Sequence, residues 1–224
     1  MTPPAISALI PLYHNERFIA EAVESVLRQT LPVMEIVIVD DGSTDGSIAA
    51  VPDSPLIKIF ARPHSGLAAT LNHALTQTKG DWLAFLDHDD RWLPTKLEKQ
   101  YAALQQNPES NLCFCQARKF YDNAPVSGVG NEILNGVAKS GFFVSRAIFD
   151  QVGPFSDTTQ SGHDFLDWYT RAQELKLHSH IVPEVLYERR IHENNMGLRE
   201  PDKQRASYFT ALKASLDRRR ANTS

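Results

Sequence analysis

The chain has 224 residues, 42% of them hydrophobic and 22% charged. Those figures suit one α/β domain of ordinary size, or one domain with a short appendage, and a substantial buried core. A formal net charge of −4 argues against a nucleic-acid partner and against general binding to anionic membranes.

The two cysteines, Cys113 and Cys115, lie in a strand-like run. Residues two apart on a strand point to one face, an awkward geometry for a mutual disulfide. They read as core thiols of a reducing compartment, and a metal site would lack its partner cysteines. No apolar stretch approaches the roughly 20 residues of a membrane span, so no integral membrane segment is expected. The N-terminus also lacks the basic-then-apolar pattern of a secretion signal, which points to a cytoplasmic location.

Short apolar runs alternate with amphipathic stretches through the first half. Residues 5–12 read as a strand, and 18–28 as a helix with Phe18, Ala22 and Val26 on one side. Residues 35–39 form a second strand, almost wholly Ile and Val, and residues 57–61 a third. Residues 67–76 carry Leu67, Leu71, Ala74 and Leu75 at helical spacing, and 82–86 form a fourth strand closed by Asp87. Pro94 suits the first turn of a helix that runs to about Gln106 and stops at Asn107 and Pro108. This order implies an α/β fold with a mostly parallel, doubly wound sheet and helices on both faces.

The second half reads as strands over 111–120 and 137–144, a helix over 164–176, a strand over 180–187 and a terminal helix over about 201–219. A single domain is the simplest description. Residues 1–107 would form a nucleotide half, 108–200 an acceptor half, and 201–224 an appended helix. That helix carries Tyr208, Phe209, Leu212 and Leu216 on one side. It is suited to pack on the domain, to pair two copies in a homodimer, or to rest on the inner face of a membrane.

In doubly wound sheets ligands bind beyond the carboxyl ends of the strands. There the fourth strand delivers Asp87, His88, Asp89 and Asp90. Alternation along an extended chain would aim Asp87 and Asp89 to one side. Two such carboxylates call for a cation between them, and oxygen ligands suit Mg²⁺ or Mn²⁺. The second strand delivers Asp40 and Asp41, which can accept from a nucleobase N–H or a ribose hydroxyl. Neither GxGxxG nor GxxxxGK[ST] occurs anywhere. Phosphate charge must therefore be met by metal.

Four motifs recur in one order: Pro11-Leu12-Tyr13-His14-Asn15-Glu16, Ile38-Val39-Asp40-Asp41-Gly42-Ser43-Thr44-Asp45, Gly66 through Asn72, and Phe85-Leu86-Asp87-His88-Asp89-Asp90. Together they resemble the bacterial family 2 glycosyltransferases of GT-A fold over residues 5–95. The segments His163-Asp164-Phe165-Leu166-Asp167-Trp168 and Arg189-Arg190-Ile191-His192 are similar to that family's acceptor half, more loosely. The resemblance implies a nucleotide diphosphate-sugar donor, a UDP-sugar by family preference, and a hydroxyl acceptor. It implies inversion at the anomeric carbon by single displacement, in the synthesis of a polysaccharide or glycoconjugate.

Residue by residue, it implies Pro11 and Tyr13 against the nucleobase, with Glu16 and Asn72 near the nucleotide. Asp40 would bind the base with Asp41 beside it. Asp87 would face ribose or metal, Asp89 would coordinate the metal, and His192 would approach the metal or diphosphate. Where many relatives carry arginine the chain has Leu71, and Arg62 is the candidate to replace its donor contact. Where relatives often carry glutamate the chain has His163.

Single displacement needs a base for the acceptor hydroxyl and a stabiliser for the departing diphosphate. Asp164, at the start of its helix and bordering the apolar stripe, is the first choice for the base, and Asp167 the alternative. Arg189 and Arg190 are candidates for the diphosphate, and Trp92 and Trp168 for a sugar or acceptor platform. His64, His73, His178 and His180 read as surface or satisfied residues. Two other functions compete: a non-catalytic nucleotide-sugar-binding module, and a sugar nucleotidyltransferase. The nucleotidyltransferase would carry a glycine-rich, basic loop where this chain has Tyr13 to Glu16.

Overall fold

A computed structural model of the chain describes residues 3–122, 132–156, 164–193, 195, 213, 215–218 and 220. The expected readings of His163 and of most of the terminal helix lie outside those residues. The described residues 213, 215–218 and 220 are helical. No described helix is long and apolar enough to cross a membrane.

The first half follows the periodicity closely. Strands β1 (Ile6–Leu12), β2 (Glu35–Asp40), β3 (Ile57–Ala61) and β4 (Trp82–Phe85) pair in parallel in the order β3-β2-β1-β4. Helices α1 (Ile19–Leu27) and α2 (Leu67–Gln77) connect them. Every residue of β1 and β2 is buried, as expected for central strands covered on both faces. On one face Ile10, Ile38 and Val23 pack with Leu97. On the other, Leu9, Val37 and Phe85 pack with Leu71 and Trp168.

Beyond β4 the sheet becomes mixed. It continues β4-β8-β6-β9-β5, where β5 is Arg91–Trp92, β6 Leu112–Tyr121, β8 Phe143–Ser145 and β9 Ser179–Ile191. Strand β8 runs antiparallel to both β4 and β6, whereas β6 and β9 are parallel. The short β7 (Ile133–Leu134) pairs with β6. Helices α3 (Lys96–Gln106), α4 (Arg146–Val152) and α5 (Asp164–Glu174) complete the described elements.

The strand expected over 137–144 is broken. Lys139–Gly141 forms a 3-10 turn, and β8 begins only at Phe143. A side chain at position 141 would meet the Tyr187 ring at 3.0 Å, so the chain passes β9 closely only because it carries glycine there. The unpredicted α4 follows directly, capped by Ser145 Oγ accepting from Ile148 N.

Candidate active site

The carboxyl ends of β1, β2 and β4 meet at one edge of the sheet, joined there by the end of β9. Asp40, the last residue of β2, is 2% exposed. Its Oδ2 accepts from Ser43 N at 3.1 Å, while Oδ1 is buried with no hydrogen-bond partner among the described residues. An acceptor left unmet in that position awaits a donor. Asp41 is spent differently. Its Oδ1 accepts from Ser65 N and Ser65 Oγ, and its Oδ2 from Gly66 N at 2.9 Å. His64 Nδ1 lies 2.9 Å from the same Oδ2. Asp41 therefore shapes the 62–66 loop instead of offering a free oxygen to a nucleotide. Gly42, at φ 85°, lets β2 turn beneath that loop, because a side chain there would stand 3.0 Å from His64 N.

Tyr13 is 40% exposed and stacks on His64 at a centroid distance of 4.4 Å, with the His14 ring edge-on at 4.2 Å. His64 is exposed, as expected of a surface residue, and packs against Tyr13. Pro11 is buried, and its carbonyl accepts from His88 Nδ1 at 2.8 Å. Glu16 Oε2 accepts from Gly46 N at 2.8 Å. Arg62 donates to the Ala69 carbonyl and stands 4.0 Å from Asp41, so it braces the loop.

The acidic residues after β4 do not run extended. Asp90 N donates to the Asp87 carbonyl at 3.1 Å, closing a turn. Alternation consequently fails, and the carboxylates diverge. Asp87 Oδ1 meets Lys139 Nζ at 2.7 Å. Asp89 Oδ2 lies 3.1 Å from His192 Nε2 and accepts from Asn195 Nδ2 at 3.2 Å. Asp90 is buried, accepting from Ser140 Oγ at 2.7 Å and from Arg190 N at 3.0 Å. Ser140 Oγ also accepts from Asp87 N at 3.2 Å. Burial raises the Asp89 carboxyl, but the contact with His192 and the nearby imidazole of His88 bring it below the ordinary carboxylate range. Burial, with the charges of Asp89 and Asp87 alongside, holds Asp90 well above it.

Among the described residues no three His, Cys, Asp or Glu side chains converge as a ready metal cage. The Asp89 and His192 atoms nevertheless fit a divalent cation, one hard oxygen and one imidazole nitrogen facing each other at the strand edge. Such a site leaves its other positions to diphosphate oxygens and water.

Arg190 is not a diphosphate ligand in this arrangement. Its guanidinium is buried against Glu21 and Asp122, donates to the Asp89 carbonyl at 2.9 Å, and lies over the Phe18 and Phe120 rings. Arg91 and Arg118 extend the network through Glu188. Arg189, its neighbour, is exposed on the alternate face of β9.

Three further assignments change. Trp92 is buried, its Nε1 donating to the Ser140 carbonyl at 2.9 Å. Trp168 is fully buried, stacked on Phe149 and bonded to the Gly153 carbonyl. Neither presents a face to a sugar. Asn72 bonds both ways with the backbone of Phe155, at 2.8 and 2.9 Å, and so fixes the chain leading toward α5 instead of meeting a nucleotide.

At the start of α5, Asp164 is 1% exposed, and among the described residues neither carboxylate oxygen has a hydrogen-bond partner. Burial and the charge of Asp87 raise its carboxyl, against the opposing pull of Lys139. Asp167 is engaged on both sides, by Arg171 at 3.0 Å and Arg218 at 2.9 Å. The two candidates for the base are thereby distinguished: one is unmet at the cleft, the other neutralised away from it. Lys139 was absent from the sequence reading; a lysine inside an apolar run, beside Ser140 and Gly141, was its one signal.

The chain matches the glycosyl transferase family 2 model over residues 7–162. It is 26% identical over 98% of its length to the chondroitin synthase of Pasteurella multocida (strain Pm70), of which it spans 24%. It is 39% identical over 43% of its length to the putative teichuronic acid biosynthesis glycosyltransferase TuaG of Bacillus subtilis (strain 168), covering 40% of that protein. Among solved structures it resembles the mannosyltransferase PcManGT of Pyrobaculum calidifontis in complex with GDP-Man and Mn2+, at TM-score 0.72 and 16% identity, over 96% of this chain and 64% of that one. It also resembles S. aureus TarS 1-349 in complex with UDP, at TM-score 0.64 and 20% identity, over 84% and 60%. The α/β fold with its mixed sheet is therefore that of the GT-A glycosyltransferases. The chain belongs to glycosyl transferase family 2.

Proposed function

We propose that this chain is an inverting, metal-dependent glycosyltransferase. It takes a sugar from a nucleotide diphosphate-sugar, most naturally a UDP-sugar, and places it on an acceptor hydroxyl of a growing polysaccharide or glycoconjugate. The observation that carries the reading is Asp164: a carboxylate buried at the start of α5, both of its oxygens unmet among the described residues. The titles of the solved relatives, holding UDP, UDP-GlcNAc or GDP-Man with Mn2+, support the donor class. The names of the curated relatives support the acceptor class.

Asp40 Oδ1 takes a hydrogen bond from the nucleobase, and Tyr13 with His64 walls the base. Asp89 and His192 hold the divalent cation, with Asp87 beside the ribose. When bound, the metal supplies charge neutralisation for the diphosphate as it leaves. Asp164 accepts the proton of the acceptor hydroxyl. The oxygen's electron pair forms the new bond to the anomeric carbon as the bond to the diphosphate oxygen breaks, its pair departing with the diphosphate.

Calorimetry with UDP, GDP and dTDP, each with and without Mn²⁺, tests this. One nucleotide binds in a metal-dependent manner, Asp89→Ala abolishes that dependence, and Asp164→Ala binds normally but turns over no sugar. Normal turnover by Asp164→Ala rules the base assignment out.

A further inference from the structure

The chain leaves β9 at Ile191 and turns at once. Asn195 N donates to the His192 carbonyl at 3.1 Å, which brings Asn195 back beside the strand end. Its side chain then makes three hydrogen bonds. Oδ1 accepts from His192 N at 2.6 Å, and Nδ2 donates to Asp89 Oδ2 at 3.2 Å and to the Arg190 carbonyl at 3.3 Å. The partners themselves fix which end of the amide is oxygen. A backbone N–H can only donate, whereas an ionised carboxylate and a carbonyl can only accept. An amide side chain meets one donor and two acceptors through a single planar group, which neither a carboxylate nor a lone hydroxyl does.

Two of these contacts fall on the residues that face the cation site. Asp89 Oδ2 and His192 Nε2 are 3.1 Å apart, and their side chains are 18% and 10% exposed. A small divalent cation demands its ligands at closely set positions. Each of the two residues is held in two places. The main chain of Asp89 accepts from Arg190 Nε at 2.9 Å, and its carboxylate accepts from Asn195. The ring of His192 packs on Phe18 at a centroid distance of 4.9 Å, and its main chain donates to Asn195. Asn195 thus touches both residues through one rigid group. Groups that orient a metal's ligands in this way set affinity without touching the metal.

We propose that Asn195 is a positioning residue of the cation site: its amide clips the Asp89 carboxylate to the main chain of His192 and presets the gap in which the cation is held. This rests on the reading of Asp89 and His192 as the residues that hold the cation. Asn195 itself is no ligand, because its oxygen is turned to His192 N. Its contribution is preorganisation, the ordering of the carboxylate before the donor arrives. An apolar side chain of similar size leaves both ligands present and unguided.

In the test Mn²⁺ is titrated into the full chain at a saturating concentration of the nucleotide, UDP, GDP or dTDP, that the parent binds. The EPR signal of unbound Mn²⁺ is followed, with nucleotide alone as the blank. In Asn195→Leu half-occupancy needs about tenfold more Mn²⁺ or beyond, the scale of losing an outer-shell partner of a metal ligand. The urea midpoint of the metal-free chain stays that of the parent. Asn195→Ala serves if the leucine variant does not fold. Unchanged half-occupancy in a folded variant overturns the proposal. So does weaker Mn²⁺ binding matched by an equal fall in urea stability, which assigns Asn195 to folding. Asp89→Ala and His192→Ala are the references. If both bind Mn²⁺ as the parent does, the cation reading falls and takes this proposal with it. If both lose Mn²⁺ while Asn195→Leu keeps it, the proposal falls alone.

Discussion

Arg190 donates from its side chain to the main-chain carbonyl of Asp89 at 2.9 Å and from its backbone to Asp90 Oδ1 at 3.0 Å. One residue of β9 thus holds two residues of the acidic turn, and His192 follows directly after the strand ends at Ile191. The pairing explains how a turn between β4 and β5 that carries three carboxylates keeps its shape. Arg190→Met removes a buried guanidinium from between Glu21, which keeps Arg91, and the part-buried Asp122, which keeps Arg17. We expect a loss of about 3 kcal/mol in urea unfolding, the scale of breaking a buried pair. A loss below about 0.5 kcal/mol, the range of ordinary surface changes, contradicts the structural role.

Asp40 offers one unmet oxygen, and its replacement separates recognition from folding. In Asp40→Asn the side-chain oxygen can still accept from Ser43 N, but the group facing the base becomes a donor. Affinity for UDP in the presence of Mn²⁺ falls by about tenfold or more, the cost of a lost charge-assisted hydrogen bond. Unfolding stability does not fall in parallel. Equal affinity in the two proteins means that the unmet oxygen does not meet the nucleotide.

Much of this site was legible in advance because β1, β2 and β4 have unbroken apolar runs that end in chemically distinctive residues. Buried parallel strands must read that way, and ligand edges must follow them. What failed was the extrapolation past a strand's last residue. Asp87 and Asp89 were placed side by side by alternation, but 87–90 is a turn, and alternation holds only while the backbone is extended. Arg189 and Arg190 differ by one position on a strand. Sequence shows that they face opposite ways, not that the Glu21, Asp122 and Phe120 cluster waits on one side. Asn72, Trp92 and Trp168 are chemically able to bind sugars or nucleotides, and each is instead taken up by a backbone partner far along the chain. Lys139 was hidden inside a run that looks like a strand until the close approach of Tyr187 to Gly141 is known.

The contrast between Asp164 and Asp167 gives a paired prediction. Asp167 is held by Arg171 and by Arg218 from the C-terminal helix, which also engages Glu174. Asp167→Asn should lower stability and leave turnover within about tenfold, whereas Asp164→Asn should cost about a hundredfold or more, the range for removing a general base. Arg218→Met, one-third exposed, should cost only about 1 kcal/mol after solvent screening. Turnover lost equally in both aspartate variants would remove the distinction.

Lys96 provides the clearest dependence of stability on pH. It is fully buried in α3, its Nζ on Gln100 Oε1 at 2.7 Å and 4.2 Å from the Trp92 ring centroid. Burial pushes its ammonium down to about 8, despite the opposing influence of Cys115 and Cys113. Released on unfolding, it recovers an ordinary value of about 10.4. Between those values the unfolded chain binds more protons, so this residue's contribution to stability rises with pH. The two buried thiols act the other way. Burial pushes Cys113 up to about 12 and Cys115 up to about 11, so stability that they contribute below about 8.5 is lost as pH climbs past it. Comparison with Lys96→Met removes the thiols from the question, because both proteins keep them. Below pH 8 the difference in stability between variant and parent is constant. From about 8 to about 10 it shifts in favour of the parent by about 1.4 kcal/mol per pH unit. Guanidinium unfolding of both proteins at three pH values across that window measures the slope. A difference that does not change with pH would mean that burial does not depress the Lys96 ammonium.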